Sequence, residues 1–477
     1  MRIFDTKIQE LKYEVLKEVA KRTFDGDLGD LYYEIPRQIV PGPKPTMRCC
    51  VFKERAVIEE RIKLAIGGDK SNPNIIEVLD NACAACPVHS FFVTDVCRGC
   101  ITHQCMDNCP VQAISVIDKK AVIDRGKCIE CGKCTKSCPY GAIMEMTRPC
   151  VRSCKAGAIS IDENKKAVID NDKCVMCGAC VYQCPFGAIS DKSFLTDAIH
   201  ILKDSDFSKK YRVYAVIAPA IVSQFKYAKI EQIVTGIQKL GFYQVMEAAL
   251  GADITLSKEV KEAEEKGVIT TSCCPSFVMY IEKQFPQLAK YISDSPSPMV
   301  EMARLIKSEH PDAKVIFIGP CTSKKYEFQL EKTGGAVDCV ISFEELQALL
   351  DSREIDVENL EETPLNNASF YGRIFAKSGG ISQGVKDIAT KDFHPVALNG
   401  LEECKIGLLK LNKGLLPNQF IEGMACVGGC INGALCLHHG PKNAVDVDNY
   451  GKEAAQHSIE NSVMLYQVVE EKKKNKK

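Results

Sequence analysis

The feature that most constrains this 477-residue chain is the placement of its 26 cysteines. Sixteen lie between Cys83 and Cys184, eight lie from Cys273 onward, and Cys49 and Cys50 stand apart near the start. A secreted disulfide scaffold would be short and would open on an apolar leader. Here the opening MRIFDTKIQELKYEVLKEVAKR carries a charge every few residues, and no stretch approaches the ~18 uncharged apolar residues of a membrane span. The expectation is a cytoplasmic chain, outside any membrane, whose thiols bind metal. With 61 basic against 62 acidic residues there is no bulk field to recruit nucleic acid. The basic run Lys472 to Lys477 reads as a frayed, solvated tail. At about 150 residues per domain, the length suggests roughly three domains.

Between Cys83 and Cys184 an internal repeat is visible. Four segments read CMDNCPVQAIS, CTKSCPYGAIM, CVRSCKAGAIS and CVYQCPFGAIS, and two of the connecting stretches, AISVIDKKAVIDRGKC and AISIDENKKAVIDNDKC, resemble short hairpins. Cys128, Cys131, Cys134 and Cys138-Pro139 form C-x2-C-x2-C-x3-C-P, and Cys174, Cys177, Cys180 and Cys184-Pro185 repeat it. In this duplicated ferredoxin pattern three thiolates of a loop wrap one 4Fe–4S cubane and the fourth ligates the other cluster. The expected sets are Cys128, Cys131, Cys134 with Cys184, and Cys174, Cys177, Cys180 with Cys138. By the same exchange Cys97, Cys100 and Cys105 take Cys154, leaving Cys109 and Cys150 to join the orphan pair Cys83 and Cys86. Four clusters follow from sixteen cysteines. A zinc site of Cys83, Cys86, Cys97 and Cys100 is the alternative, and it leaves Cys105, Cys109, Cys150 and Cys154 unexplained. His89 and His103 read as polar loop residues that could replace a thiolate if the pairing differs.

Outside this region the texture differs. Residues 1–80 show two helix-like stretches, 5–22 and 51–66, around a Pro-rich segment at 36–45 expected as extended loop. From 191 on, apolar runs such as VYAVIAPA (213–220), GVITTS (267–272) and KVIFIGP (314–320) alternate with amphipathic stretches such as 228–240 and 298–308. That alternation predicts α/β layers over buried, largely parallel sheets, with ligands at the carboxyl ends of strands. Cys273, Cys274 and Cys321 directly follow two of those predicted strands.

Cys273 and Cys274 sit in TTSCCPSFV, Cys321 in GPCTSKKYE, and Cys426 and Cys430 in EGMACVGGCINGA. The segments TSCCP, PCTSKK and MACVGGC, in this order after a double ferredoxin, resemble the three signature motifs of iron-only (FeFe) hydrogenases, over roughly residues 83–477. The resemblance implies an α/β hydrogenase catalytic domain of two lobes over 191–477, ferredoxin-like α+β domains over 81–190, and a mainly helical N-terminal region over 1–80. It implies that Cys274, Cys321, Cys426 and Cys430 hold a further 4Fe–4S cubane. Cys430 then bridges to a two-iron unit with CO, cyanide and azadithiolate ligands (together, the H-cluster). Cys273 matches the family's proton-passing thiol, Lys324 its cyanide-bonding lysine, and Glu262, Ser293 and Glu259 its proton relay. Gly319 stands where a methionine is common, Phe277 replaces a tryptophan, and INGALC follows Cys430, so the chain resembles a divergent branch.

The implied activity is reversible interconversion of protons plus electrons with dihydrogen. A ferredoxin or similar low-potential carrier would supply the electrons, and maturation proteins would build the two-iron unit. The cluster of Cys174, Cys177, Cys180 and Cys138 is expected nearest the site. Competing readings are a hydrogenase-like iron–sulfur assembly or sensory protein, and a polyferredoxin electron carrier. Cys49, Cys50, Cys339, Cys404 and Cys436 have no assigned role and are expected as buried small hydrophobes, with Cys436 near enough to the third motif for an indirect contact. His438 and His439 are expected in a loop.

Overall fold

The computed structural model describes residues 4–86, 89–416 and 419–464, so the Lys472–Lys477 tail lies outside the described residues. The chain opens with helices Lys7–Asp25, Leu31–Ile39 and Val51–Ala65. Thr6 starts the first through a capping box: its Oγ1 accepts from Gln9 N at 3.2 Å, and Gln9 Oε1 accepts from Thr6 N at 3.1 Å. Its buried stripe of Tyr13, Leu16, Val19, Ala20 and Phe24 follows helical spacing and packs on helices Leu195–Asp204 and Phe343–Ser352. The 36–45 segment, expected as extended loop throughout, begins inside the helix Leu31–Ile39, with Pro36 in that helix. Burial of Leu31 and Ile35 on one face, four residues apart, outweighs the donor that proline lacks.

The C-terminal region builds two parallel sheets. In the first, Gln244–Glu247, Val213–Ile217, Lys314–Ile318 and Cys339–Ile341 lie side by side in that order. In the second, Phe420–Met424 lies between Ile269–Thr270 and Val396–Asn399. Every residue of Val213–Ile217 and of Phe420–Met424 is buried, as expected of parallel strands covered by helices on both faces. The three cysteine motifs leave the carboxyl ends of Ile269–Thr270, Lys314–Ile318 and Phe420–Met424, and so bring both sheets to one place.

Two ferredoxin-like modules precede these sheets, one inserted into the other. Strand Ile76–Val78, ahead of residue 81, pairs antiparallel with Ile189–Asp191, and Phe91–Val93 pairs in the same way with Ile143–Glu145. Each module carries one hairpin, Ile114–Ile117 with Lys120–Ile123 in one and Ile159–Ile161 with Ala167–Ile169 in the other. The sulfurs repeat the correspondence. Ala121 N donates to Cys97 Sγ at 3.3 Å, and Ala167 N donates to Cys83 Sγ at 3.4 Å. Cys83 and Cys86 are therefore the first half of a ferredoxin module whose second half resumes at Cys150.

This nesting corrects the expected cysteine sets. Cys138 lines one cavity with Cys97, Cys100 and Cys105, apart from the Cys174 loop. Cys154 lines another with Cys174, Cys177 and Cys180, apart from Cys97. Cys184 neighbours Cys83, Cys86 and Cys150 electrostatically, where Cys109 had been expected. Cys109 packs in one apolar cluster with Cys128 and Cys134, which Cys97, Cys105 and Cys138 also join, and the grouping of Cys138 with Cys97, Cys100 and Cys105 leaves Cys109 to the Cys128 loop. The fourth cysteine of each loop lies with the partner loop of its own module, because each module closes its own two-fold repeat around its own core. The zinc alternative is corrected for the same reason: Cys97 and Cys100 belong to the inserted module, and Cys83 and Cys86 to the module around it.

A buried ion network ties the regions together. Lys325 pairs with Asp191 at 2.8 Å and Glu345 at 2.7 Å, and Lys12 pairs with Asp191 and with Glu344 at 2.5 Å each. Burial alone would raise the Asp191 carboxyl, but Lys12 and Lys325 together hold it well below its usual range.

The nested sets predict the outcome of paired substitutions. With a cubane in each set, Cys97→Ala and Cys138→Ala should each remove about four irons per chain from the reconstituted protein, and the double variant no more than either alone. Cys138→Ala with Cys174→Ala should remove about eight. Iron analysis giving the reverse pattern would restore the pairing across modules.

Candidate active site

Each motif sets a thiol where a strand ends and a helix begins. Cys274 caps the helix Pro275–Gln284, whose first residue is proline, and Cys321 caps Thr322–Glu327. Cys426 and Cys430 follow strand Phe420–Met424. Cys273, Cys274, Cys321 and Cys430 line a cavity of about 80 Å3 with Lys324, and its other walls, including Pro219, Met299, Phe317 and Phe375, are apolar. Cys426 stands beside it, in electrostatic reach of Cys321, Cys274, Cys177 and Cys430. Burial, then Cys321 and Cys274, push the Cys430 thiol up to about 12, and burial pushes Cys426 well above its usual value.

These values state what the site requires. Thiols gathered this closely in a buried pocket cannot all ionise without cationic charge among them, and binding iron would displace their protons. An all-thiol set is the donor chemistry of an iron–sulfur cluster. Among the described residues, no three His, Cys, Asp or Glu side chains stand close enough to grip a single metal ion. Each ferredoxin-like set shares this all-thiol character.

Lys324 reaches the cavity with its charge intact. Burial opposes that charge, yet Glu327 at 2.6 Å holds the ammonium above its ordinary value, and Nζ also donates to the Cys273 carbonyl at 3.0 Å. Cys273 itself is buried, and burial followed by the nearby Glu259 keeps its thiol protonated well above the usual range.

Behind Cys273 lies a chain of polar groups leading outward. Glu259 is fully buried; its Oε1 accepts from Ser272 N at 2.9 Å and Ser272 Oγ at 3.1 Å, while Oε2 has no hydrogen-bond partner among the described residues. Burial raises its carboxyl to about 7. Ser272 Oγ also approaches the Ser295 carbonyl at 2.5 Å, and Ser295 N donates to Ser293 Oγ at 3.1 Å. Ser293 Oγ donates to Glu262 Oε2 at 2.6 Å, and Glu262 meets Lys266 at 2.6 Å near the surface. The structure thus brings Glu262 to Ser293, and Glu259 to the residue preceding Cys273. Ser272 was missed from sequence, although it directly precedes the thiol pair.

Two of the positions that depart from the common pattern are tightly packed against their neighbours. A Cβ on Gly319 would stand 2.5 Å from the Phe317 ring, so glycine there admits a phenylalanine to the cavity wall. The fully buried ring of Phe277 lies directly over Gly423, where any side chain would collide with it. Cys436 touches the Cys430 and Ile431 carbonyls at 3.7 and 3.3 Å. Cys339 and Cys404 are buried small hydrophobes as expected. Cys49 is exposed, and the half-buried Cys50 caps the helix Val51–Ala65, which corrects the expectation for that pair: the Cys50 sulfur accepts from Lys53 N at 3.4 Å instead of packing in a core. His103 lines the Cys97 cavity, and His89 stands 3.5 Å from Glu130. His438 pairs with Asp5 at 2.9 Å, and the His439 ring stacks on Tyr182 at 3.9 Å.

The inner ferredoxin loop, the Cys174–Cys184 segment of the module that surrounds the inserted one, abuts the site. Thr322 Oγ1, one residue past Cys321, donates to the Met176 carbonyl at 2.6 Å. Gly178 is held against Ala434 and Thr322, and a Cβ there would collide with both. Its φ of 74° is in the left-handed region, a second reason for glycine. Cys177 consequently lies in electrostatic reach of Cys274 and Cys426.

Residues 211–434 match the family model described as the iron-only hydrogenase large subunit, C-terminal domain. Residues 146–188 match a 4Fe–4S dicluster domain, and 120–143 a 4Fe–4S binding domain. The chain is 31% identical over 271 residues to iron hydrogenase 1 of Clostridium pasteurianum, covering 46% of this chain and 47% of that protein. It is also 31% identical over 142 residues to the cytosolic Fe–S cluster assembly factor NAR1 of Eremothecium gossypii, covering 28% of this chain and 31% of that protein. The chain thus spans about half, or less, of the length of these curated relatives. An apo FeFe hydrogenase from Chlamydomonas reinhardtii aligns with 57% of this chain and 94% of its own, at 18% identity and TM-score 0.46. No helix among the described residues is long and apolar enough to cross a membrane.

Glu259 makes the site's electrostatics measurable through stability. Its carboxyl titrates near 7 in the folded chain against 4.5 for the ordinary group. Between those pH values the unfolded chain releases a proton that the folded chain keeps, so its contribution to stability falls as pH rises and levels off above 7. Glu259→Gln removes the titration. Chemical denaturation at a series of pH values should show the variant gaining on the wild type from pH 4.5 to 7 and holding a constant difference above that. A difference that does not change with pH would place an ordinary, solvated carboxylate at this position.

Proposed function

The chain belongs to the iron-only hydrogenase family, with 4Fe–4S ferredoxin-like domains ahead of its family core, and we propose that it interconverts protons plus electrons with dihydrogen. One observation carries the reading. A thiol outside the proposed ligand set, Cys273, lines the same cavity and is backed by a buried carboxyl that titrates near neutral pH.

Cys274, Cys321, Cys426 and Cys430 would hold a 4Fe–4S cubane, and Cys430 would also hold the two-iron unit. When bound, the two-iron unit with its CO, cyanide and azadithiolate ligands supplies the hydrogen chemistry. The chain's own residues do the rest. The apolar walls exclude water, so the Lys324 ammonium acts at low dielectric on an anionic ligand such as cyanide. Cys273 holds a proton on Sγ and delivers it into the cavity. Glu259 replaces that proton, and a carboxyl near 7 both gives and takes protons at physiological pH. Ser272 fixes the orientation of Glu259, while Glu262 and Ser293 form the outer end of the route.

Electrons would enter by a separate route from a ferredoxin-type carrier, through four clusters held by the nested sets, and leave the inner loop at Cys177 beside Cys274 and Cys426. Maturation proteins would install the two-iron unit. The match to an assembly factor keeps a second reading in view. An assembly role needs the four thiolates but neither Cys273 nor the carboxyl route behind it, and their presence favours catalysis.

The test is dihydrogen evolution from a reduced low-potential dye after maturation with the two-iron unit. Wild-type protein should turn over, and Cys273→Ala should lose nearly all activity while keeping its iron. Cys274→Ala should lose the cubane at the site. Cys273→Asp should retain part of the activity, because a carboxyl also relays protons. Full turnover by Cys273→Ala with normal iron would remove the proposed proton route, and an inactive, fully loaded wild type would favour the assembly reading.

A further inference from the structure

Resting on the hydrogenase reading, we propose that the inserted ferredoxin module is the docking face for an acidic electron-carrier protein, at the loop that carries Cys131. Among the described residues, Cys131 is the one proposed ligand thiol that is exposed; the others are buried or partly buried. A cluster held there is the one a protein in solution can approach most closely.

The surroundings of that thiol define the partner. Ile129, two residues before Cys131, is 61% exposed, an apolar anchor directly on the loop. Lys127, Lys133 and Lys136 are exposed on the same ten-residue stretch. Lys133 and Lys136 have no ion pair among the described residues, and Lys127 meets Asp124 only at 3.8 Å across the surface. The one acid within the loop, Glu130, is turned aside: its carboxylate accepts from Ser90 N at 3.2 Å and Ser90 Oγ at 3.1 Å. What this stretch exposes to solvent is therefore one large apolar side chain and three lysines. The chain as a whole has a formal charge of −1, so this positive field is local.

Exposed lysines on the same short loop as an apolar anchor suit a transient encounter. Opposite charge steers an acidic partner onto the loop at a rate that salt suppresses, and redox complexes characteristically bury little area. Each encounter passes one electron. The carrier is oxidised by one, the chain is reduced by one, and no bond is made or broken.

The test uses the full-length, cluster-loaded protein and an acidic 2[4Fe–4S] ferredoxin as the probe, titrated at low and high ionic strength. Lys127→Glu, Lys133→Glu and Lys136→Glu together should weaken binding at least ten-fold at low salt and flatten its salt dependence, while dye-driven dihydrogen evolution is unchanged. The same charge change at Lys405 and Lys410 of the helix Leu401–Asn412 and at its cap Lys413 controls for net charge and should leave binding within two-fold. Equal losses in the two triple variants, no loss in the first, or no binding by the wild type would overturn the docking face. Wild-type protein that binds the ferredoxin but evolves no dihydrogen from the dye would contradict the hydrogenase reading and leave the docking result standing.

Discussion

The wholly buried ammonium of Lys325, one residue past Lys324, is the interaction on which the geometry of the site depends. It lies between Asp191, at the end of the outer ferredoxin module, and Glu345, in the helix beyond the first sheet, while Lys12 of the N-terminal helix shares Asp191. Burying these charges is costly, and removing one partner of such a pair typically costs about 3–5 kcal/mol. The network holds its geometry because Lys12, Asp191, Lys325 and Glu345 each have two partners or more: Lys325 also donates to the Lys192 carbonyl at 3.0 Å, and Ser193 donates to Glu345. Three regions are thereby fixed to the short helix that begins at Cys321. The distance from the inner ferredoxin loop to the site follows from that fixation, as does a use for the N-terminal helix.

Two parallel sheets aim their strand ends at this anchored helix. Parallel strands buried on both faces leave polar chemistry only at their ends, which is where the five thiols of the motifs stand. The cavity they enclose has one ammonium and little else that is polar, so charges within it interact strongly. The carboxyl of Glu259 sits outside that wall, connected through Ser272 to the strand end before Cys273. Protons and electrons would approach from different sides, the former from helix Ala248–Lys266 and the latter from the loop at Cys177.

What the sequence made legible was local. The motifs, the hairpins of the repeat, the buried strands and the roles suggested for Cys273, Glu259 and Glu262 rest on short spacings or on resemblance, and the elements occur where the patterns put them. Long-range association was another matter. Four similar cysteine units allow several pairings, and the insertion after Cys86 separates that pair from its continuation at Cys150, so chain order pointed to the wrong neighbours. Backbone hydrogen bonds to Cys83 and Cys97 reveal the correspondence, and no residue pattern announces them. The helix around Pro36 escaped notice because its stability comes from burial of Leu31 and Ile35 against other helices, not from local propensity. Ser272 is one serine among many until the fold sets it against Glu259.

Infrared spectroscopy of the matured protein tests the hydrogenase assignment most directly, because carbon monoxide and cyanide on iron absorb where no protein group does. Protein matured with the two-iron unit should show both sets of stretching bands. Cys430→Ala should lose them while the ferredoxin-like sets keep their iron. A matured wild type with fully loaded iron–sulfur clusters but neither set of bands would contradict the assignment and leave a cluster-binding protein without the hydrogen chemistry.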